Sequence, residues 1–170
     1  MNKPNGVVSM ICYRSGDATN PEGEDPRVIV HVCNDAGGWG RGFVLALSAR
    51  WTAPERDYRA WFKEGDGGGF RLGAVRFVEV EHSLWVANLI GQHKTRSING
   101  VPLIRYDALR EGLRTVQRFC ESNHASAHMP RIGCGLADGH WETVSAIIND
   151  ELISQGTPVT VYDLPTNSDD

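Results

Sequence analysis

The sequence lacks any apolar run that approaches the roughly 20 residues needed to cross a membrane. Its first six residues, Met-Asn-Lys-Pro-Asn-Gly, contain no apolar core of the kind found in secretory signal peptides. We therefore expect a soluble, cytoplasmic protein that has no membrane partner.

The sequence also lacks an excess of positive charge, since its formal net charge at pH 7 is −4. This charge argues against a surface that binds nucleic acid mainly by neutralising phosphates, although it is compatible with a local basic rim. The P-loop motif GxxxxGK followed by Ser or Thr is absent, and so is a GxGxxG motif with a ribose-binding acid at the usual distance. ATPase and dinucleotide-dehydrogenase activities are therefore disfavoured.

Cysteine is scarce. The four cysteines, Cys12, Cys33, Cys120 and Cys134, have no CxxC spacing, so the sequence predicts neither a disulfide framework nor a metal site. We expect the first three, which lie in apolar segments, to be reduced core thiols. Cys134 differs because it lies in a glycine-rich segment.

The length and composition are those of one globular domain. The chain has 170 residues, of which 41% are hydrophobic and 22% are charged, which is enough apolar material for a core. We expect a single domain over residues 1–165 and a disordered tail over residues 166–170.

The apolar pattern predicts alternating strands and helices. A continuous apolar run such as 28–33 is typical of a buried strand, and the spacing of Leu109, Leu113 and Val116 indicates an amphipathic helix. The predicted elements are strands over 7–13 and 28–33, helices from Phe43 and from Pro54, strands over 73–81 and 84–90, a helix over 105–123, a strand that ends at Met129, a helix over 141–152 and a strand over 157–162. This order predicts an α/β fold, a three-layer α/β/α sandwich with a mixed, mostly parallel central sheet.

Two glycine-rich loops each follow a predicted strand and lead into a helix. The first runs from Asn34 to Gly42, and the second runs from Gly133 to Gly139. Glycines let backbone N–H groups approach a ligand closely, and a loop that leads into a helix N-terminus favours anions. Together the loops predict a crevice that binds a phosphorylated ligand through backbone amides, without a dedicated lysine. Taken alone, each loop is also compatible with an ordinary sharp turn.

Polar residues also follow two other predicted strands. Gln92, His93 and Lys94 end an apolar run, which makes them candidates for ligand contacts, although a solvated connection has the same pattern. Asp17 follows the first strand and either caps the turn there or accepts a hydrogen bond from a ligand. Its local sequence favours capping.

Four segments, in this order, resemble the macrodomain, the ADP-ribose-binding fold. They are 16–19, 31–35 with Gly38, Gly40 and Gly42, 88–92, and 129–136 before Trp141. Within the family, the chain is similar to the branch that contains the terminal ADP-ribose protein glycohydrolase and small bacterial homologues. The resemblance extends over residues 10–164, which is nearly the whole chain.

The resemblance implies that ADP-ribose is the ligand and that no cofactor or metal is required. It implies that Asp17 binds the adenine amino group, that Asn34 contacts the distal ribose, and that the two loops close over the diphosphate. The residues that it places around the ligand are Asp17, Asn34, Gly38, Gly40, Arg41, Gly42, Gly133, Cys134, Gly135, Leu136 and Ala137. The implied partners are ADP-ribose and mono-ADP-ribosylated protein, with nucleic acid only as an ADP-ribosylated substrate. We expect a monomer.

Hydrolytic members of this branch use a lysine just after the fourth strand and an acid in the last glycine-rich loop. Here the lysine position holds Gln92, followed by His93, and the acid position holds Ala137, followed by Asp138. A covalent lysine mechanism is therefore disfavoured. The remaining chemistry is metal-free hydrolysis of an ADP-ribosyl ester of glutamate or aspartate.

In that chemistry Asp138 is the candidate to orient or deprotonate water, and Gln92 is the candidate to position the substrate. His93 is either an acid or base or a solvent-facing side chain. An aspartate is a weak base at neutral pH, but an ester has a good leaving group, which favours esters over an arginine N-glycoside.

Three alternatives stay open. In the first, Cys134 acts as a nucleophile with His93 or His140. In the second, the chain is a non-catalytic reader of ADP-ribose. In the third, it acts on O-acetyl-ADP-ribose, ADP-ribose 1″-phosphate or an ADP-ribosylated nucleobase.

Overall fold

The computed structural model of the protein describes residues 10–97 and 99–165. The elements are β1 (Cys12–Ser15), β2 (Arg27–Asn34), α1 (Phe43–Arg50), α2 (Ala53–Glu64), β3 (Val75–Glu81), β4 (Leu84–Gln92), α3 (Tyr106–Asn123), β5 (Ser126–Met129), α4 (Trp141–Glu151) and β6 (Val159–Asp163). Short 3-10 turns at Gly65–Gly68 and Ile153–Gln155 follow α2 and α4. The predicted order of strands and helices is confirmed.

The six strands form one mixed sheet in the order β1-β6-β5-β2-β4-β3. All neighbouring pairs are parallel except β3 and β4, which are antiparallel at one edge of the sheet. Because parallel strands run in the same direction, the carboxyl ends of β1, β6, β5, β2 and β4 lie along one edge. Loops that leave this edge are where open α/β sheets bind ligands.

Side chains of the central strand β2 alternate between the two faces of the sheet. Ile29 and Cys33 join the core cluster that contains α1 and α2, whereas Val28 and Val30 join the cluster that contains α3 and α4. The predicted stripe on α3, which includes Leu109 and Leu113, is fully buried. The three-layer α/β/α sandwich is therefore confirmed.

Helix α3 approaches the sheet closely because Gly112 faces β4. A Cβ added to Gly112 would lie 2.4 Å from Cγ of Leu89, so a larger residue would push the helix outward. Close packing at this glycine holds the helical layer against the sheet and so helps to fix the loops that leave its carboxyl edge.

Some details of the prediction need correction. Within the described residues β1 begins at Cys12 and ends at Ser15, because its register with β6 pairs Cys12 with Thr160 and Ser15 with Asp163. The prediction that Cys12 is a core thiol is wrong, since this edge strand leaves it exposed, whereas Cys33 and Cys120 are buried. Residues 7–9 of the predicted first strand and the predicted tail lie outside the described residues. No described helix combines the length and hydropathy that a membrane span requires.

Candidate functional site

A cleft of about 880 Å³ opens at the carboxyl ends of β2, β4 and β5. Its walls are the loops that follow these three strands and the segment that contains Leu103. A smaller cavity of about 490 Å³ lies at the opposite edge, where Pro26 and Pro158 immediately precede β2 and β6. Both glycine-rich loops line the larger cleft, which makes it the candidate site.

The first glycine-rich loop is folded around the side chain of Asn34. The Asn34 Oδ1 accepts hydrogen bonds from the amides of Ala36 and Gly38, both at 3.0 Å, while its Nδ2 donates to the Gly38 carbonyl at 2.8 Å. From α2, the Tyr58 hydroxyl donates to the Asn34 carbonyl at 2.7 Å and accepts from the Gly37 amide at 3.1 Å. Asn34 therefore shapes this wall as well as lining the cleft.

The second glycine-rich loop closes on itself through backbone bonds. The Gly139 amide donates to the Gly133 carbonyl at 2.8 Å, and the Asp138 amide donates to the Gly135 carbonyl at 3.1 Å. A Cβ on Gly139 would lie 2.4 Å from the Gly133 carbonyl oxygen, so this position has no room for a side chain. Asp138 adopts a φ of 61°, a left-handed conformation that aspartate tolerates better than most residues.

The two loops approach each other across the mouth of the cleft. A Cβ on Gly42 would lie 3.2 Å from Cδ1 of Leu136, and the side chain of Leu136 is about half exposed. Gly42 has a φ of 81°, so both its conformation and this close approach favour glycine.

Several amides in these loops are available to a ligand. Within residues 10–97 and 99–165, the amides of Gly135, Leu136 and Ala137 donate to no protein acceptor, and neither do those of Gly40 and Arg41. Helix α1 starts in the first loop and has no side-chain cap, so its first N–H groups also stay unpaired by side chains. Such groups favour an anion.

The lining of the cleft carries charged side chains of both signs. Arg41 and Arg131 line the cleft, whereas Asp138 is the only carboxylate among its described lining residues. The Arg131 guanidinium is held by Asp163, with Nε at 2.7 Å and Nη2 at 2.9 Å from the two carboxylate oxygens. This pairing lowers the pKa of Asp163 and raises that of Arg131. The same guanidinium lies 4.9 Å from the ring centroid of Trp141, a cation–π contact that further fixes it.

His31 forms part of the cleft floor, but it is 2% exposed. Its Nε2 lies 2.5 Å from Oδ1 of Asn88, whose Nδ2 donates to the Pro54 carbonyl at 3.1 Å. The Asn88 oxygen is therefore the acceptor, and this network assigns the imidazole proton to Nε2. Burial lowers the pKa of His31 to about 4, so the floor is neutral at physiological pH.

The loop after β4 forms the far wall. Gln92 lines the cleft, and its Nε2 donates to the Lys94 carbonyl at 2.9 Å. His93 does not line the cleft. Its Nδ1 lies 2.6 Å from Oδ2 of Asp35, and Oδ1 of Asp35 accepts from the Lys94 amide at 2.8 Å. The Asp35 carboxylate thus ties the first glycine-rich loop to the loop after β4.

Most residues proposed from the sequence meet in this cleft, and three do not line it. The lining residues are Asn34, Gly38, Gly40, Arg41, Gly42, Gln92, Gly133, Gly135, Leu136, Ala137 and Asp138. His93 is engaged by Asp35, as described above. The Asp17 Oδ1 accepts from both the amide and the hydroxyl of Thr19 at 2.8 Å, which is the capping contact that its local sequence favours.

Cys134 is the third of these residues, and its environment disfavours a nucleophile. Burial raises its pKa, although the charge of Arg131 opposes this effect. The side chain packs against the core cluster beneath α3 and α4, and among the described residues it makes no hydrogen bond to a histidine. A thiol with a raised pKa carries little thiolate at neutral pH.

Sequence reasoning missed several residues of the site. Arg131, Thr95 and Ser97 line the cleft, and Asp35 joins two of its walls. The sequence could have indicated Arg131, since it is a charged residue that closely follows the apolar end of a predicted strand. Thr95 and Ser97 gave none, because short polar residues are ordinary in a connection.

The fold and the cleft define a class of protein: a three-layer α/β domain with a cleft between two glycine-rich loops at the carboxyl edge of its sheet. A Bacteroides thetaiotaomicron protein of unknown function has 54% identity and a TM-score of 0.89, over 92% of this chain and 99% of that one. A macrodomain protein from Streptomyces coelicolor has 49% identity and a TM-score of 0.81, over 91% of this chain and 99% of that one. The chain belongs to the macrodomain family. No family model matches the sequence.

Curated relatives match this chain over parts of their own length. Chromodomain-helicase-DNA-binding protein 1-like from Mus musculus is 33% identical over an alignment of 164 positions, and the match covers 91% of this chain and 18% of that protein. ADP-ribose glycohydrolase OARD1 from Bos taurus is 42% identical over 60 residues, which is 35% of this chain and 40% of that protein. The chain thus spans less than half the length of these relatives. The similarity to OARD1 confirms the resemblance to the glycohydrolase branch.

Proposed function

We propose that the cleft binds ADP-ribose and that the chain hydrolyses esters between ADP-ribose and a glutamate or aspartate of a modified protein. The observation that carries the proposal is the pair of glycine-rich loops beside a cleft of about 880 Å³, in which five amides lack acceptors among the described residues: those of Gly40, Arg41, Gly135, Leu136 and Ala137. The name of OARD1, an ADP-ribose glycohydrolase, supports this ligand.

In this proposal the diphosphate lies between the two loops. Its oxygens accept hydrogen bonds from the free amides of Gly135, Leu136 and Ala137 on one side and of Gly40 and Arg41 on the other. By the family resemblance, the nucleoside lies toward Asp17, after β1, and the distal ribose lies toward Gln92 at the end of β4. Backbone amides replace a phosphate-binding lysine, because both loops can approach the oxygens closely.

The proposed reaction consumes one water molecule. Asp138 orients the water and takes its proton as the oxygen attacks the anomeric carbon of the distal ribose. The bond from that carbon to the ester oxygen breaks, the side-chain carboxylate leaves with the electron pair, and ADP-ribose is released with a hydroxyl on the anomeric carbon. The proton then passes from Asp138 to solvent.

Gln92 positions the distal ribose in this proposal. Its Nε2 donates a hydrogen bond to the Lys94 carbonyl. Its Oε1 has no partner among the described residues and can accept a hydrogen bond from a ribose hydroxyl. His93 holds the loop through Asp35 instead of touching the substrate. In this proposal Gln92 and Asp138 are the residues that contact the reacting part of the ligand.

One observation favours a second candidate function. The position where the resemblance expects a lysine holds Gln92, and the position where it expects an acid holds Ala137. A macrodomain without that pair can bind ADP-ribose as a non-catalytic reader of modified proteins. The two functions share the cleft and differ in whether ADP-ribose is released.

The test is release of free ADP-ribose from a protein that is mono-ADP-ribosylated on glutamate, at near-stoichiometric and at catalytic amounts of the chain. The informative variant is Asp138→Asn, because asparagine tolerates the left-handed conformation at this position and removes the carboxylate. The matched control is Asp66→Asn, which changes an exposed aspartate on the turn after α2.

We expect turnover by the unmodified chain and by Asp66→Asn, and a rate lower by about 100-fold or more for Asp138→Asn, as is usual when a general base is lost. Full turnover by Asp138→Asn would remove Asp138 from the mechanism. Binding of ADP-ribose without any release would favour the reader.

A further inference from the structure

Three exposed cations, one in the cleft lining and two next in sequence to residues that line it, carry side chains that the proposed reaction does not use. Arg41, Lys94 and Arg96, which we term the basic rim, are exposed. Within the described residues none of the three forms an ion pair, whereas other arginines such as Arg71 and Arg110 are paired with carboxylates. The chain as a whole has a net charge of −4, so this concentration of unpaired positive charge is local.

The basic rim lies beside the end of the cleft where the distal ribose is placed. Arg41, Thr95 and Ser97 line the cleft, and Lys94 and Arg96 alternate with Thr95 and Ser97 along the chain. The loop contacts the first glycine-rich loop, because a Cβ on Gly38 would lie 3.1 Å from Cγ2 of Thr95. A group attached to the distal ribose therefore leaves the cleft next to these cations.

The loop that carries Lys94 is held in place before any ligand binds. Lys94 has a φ of 66°, and its amide donates to Asp35 while its carbonyl accepts from Gln92. The His93 side chain is the second group of this loop that contacts the Asp35 carboxylate. Because the backbone is already ordered, a partner that binds here loses less conformational entropy than one that must order the loop.

We propose that the basic rim docks an acidic segment of the modified protein beside the ester linkage. This inference rests on the proposed function, in which the modified residue is itself a glutamate or aspartate and its neighbours leave the cleft at the rim. Unpaired cations attract carboxylates and suppress basic partners. The rim favours an acidic polypeptide over nucleic acid, since Thr95, Ser97 and Gly40 beside the cations offer no aromatic ring on which a base could stack.

Carboxylates of this chain near the rim do not cancel its charge. Asp138 lies in the second glycine-rich loop, and Asp35 is shared between His93 and the Lys94 amide. Neither forms an ion pair with Arg41, Lys94 or Arg96 among the described residues. An incoming carboxylate therefore finds three cations available.

The experiment compares two peptides with one ADP-ribosylated glutamate, flanked on both sides by glutamates in one and by glutamines in the other. Dissociation constants and ADP-ribose release are both measured, at low and at high salt. The test variant is Lys94→Glu with Arg96→Glu. The matched control is Lys63→Glu with Arg118→Glu, which makes the same charge change at exposed positions on α2 and α3.

We expect the glutamate-flanked peptide to bind about fivefold more tightly at low salt, as a few exposed ion pairs allow, and to lose this advantage at high salt. The test variant should reverse the preference, the control should keep it, and both should bind free ADP-ribose as the unmodified chain does. Equal binding of the two peptides by the unmodified chain would overturn the proposal. The proposal would also be overturned if a single-stranded oligonucleotide competed for the basic rim more strongly than an unmodified glutamate-rich peptide of equal charge.

The binding measurement separates this inference from the proposed function. A preference for the acidic peptide without release of ADP-ribose would support the basic rim and contradict the hydrolase. Release from both peptides at equal efficiency, with equal dissociation constants, would support the hydrolase and overturn the basic rim.

Discussion

At the scale of single residues, two buried histidines make the stability of this protein depend on pH. His31 in the cleft floor and His128 on β5 are 2% and 3% exposed. His128 is held between the Ser126 hydroxyl at 2.7 Å and the Tyr162 hydroxyl at 2.8 Å. Burial lowers the pKa of each imidazole to about 4, and the charge of Arg27 adds to this effect at His128. Both histidines are therefore neutral in the folded protein at physiological pH.

The free energy of unfolding should fall as the pH falls from about 6.5 to about 4. In this range the unfolded chain binds a proton at each histidine and the folded chain does not, so acid favours unfolding. Each histidine contributes about 3 kcal/mol to the loss. Denaturant unfolding at a series of pH values measures this slope.

Replacing one buried histidine should reduce that slope. His31→Gln removes one of the two protons, and His82→Gln, which changes an exposed histidine, serves as the matched control for the substitution. A slope that is the same in His31→Gln as in the unmodified chain would contradict the assignment of His31 as a buried neutral group.

Residue roles were the least predictable part of the site. The sequence placed Gln92, Asp138 and the glycines at strand ends, and the structure brings them to one cleft. It did not separate Gln92 from His93, although one lines the cleft and the other contacts Asp35. Which of two adjacent residues faces a cleft depends on how the chain turns after a strand, and this turn depends on tertiary hydrogen bonds.

At the scale of elements, the second glycine-rich loop is the segment that its packing constrains most. Gly139 has no room for a Cβ, because the Gly133 carbonyl accepts its amide hydrogen and lies 2.4 Å from the Cβ position. The loop also bonds to the segment before α3, where the amides of Leu103 and Ile104 donate to the Ala137 carbonyl at 3.1 and 3.0 Å. A change at Gly139 should therefore disturb both walls.

Gly139→Ala should destabilise the protein by about 1–3 kcal/mol, the usual cost of overpacking, and should weaken ADP-ribose binding because the loop amides move. Gly67→Ala is the matched control, since a Cβ there meets no atom within 4 Å. Thermal unfolding and calorimetric titration measure the two effects. Stability and affinity equal to those of the control would show that the loop tolerates the side chain.

Elements were predictable where periodicity was strong. Helix α3 and strand β2 begin and end within one residue of the predicted bounds. In each, the spacing of the apolar residues shows which side chains are buried and therefore how far the element extends. The bounds of strand β1 could not be predicted, since its side chains are exposed and only its pairing with β6 sets its ends. The contact between Gly42 and Leu136 was also unpredictable, because it joins loops from opposite walls.

At the scale of the whole molecule, the order of elements sufficed to predict a three-layer sandwich. An α/β order with short connections permits few sheet topologies, and right-handed crossovers narrow them further. The strand order β1-β6-β5-β2-β4-β3 places both glycine-rich loops at the same edge. The distribution of charge could not be predicted in this way, since a chain with net charge −4 has a cleft lined by Arg41 and Arg131.

The most direct test of the central claim is titration of the isotopically labelled protein with ADP-ribose, followed by amide NMR. The largest shifts should fall on Gly135, Leu136 and Ala137 and on Gly40 and Arg41, and they should saturate at one ligand per chain. Gly156 and Thr157, at the smaller cavity on the opposite edge, serve as the internal control and should not shift. Absence of saturable shifts in the two loops, or shifts that fall on Gly156 and Thr157 instead, would contradict the assignment of the ADP-ribose site to this cleft.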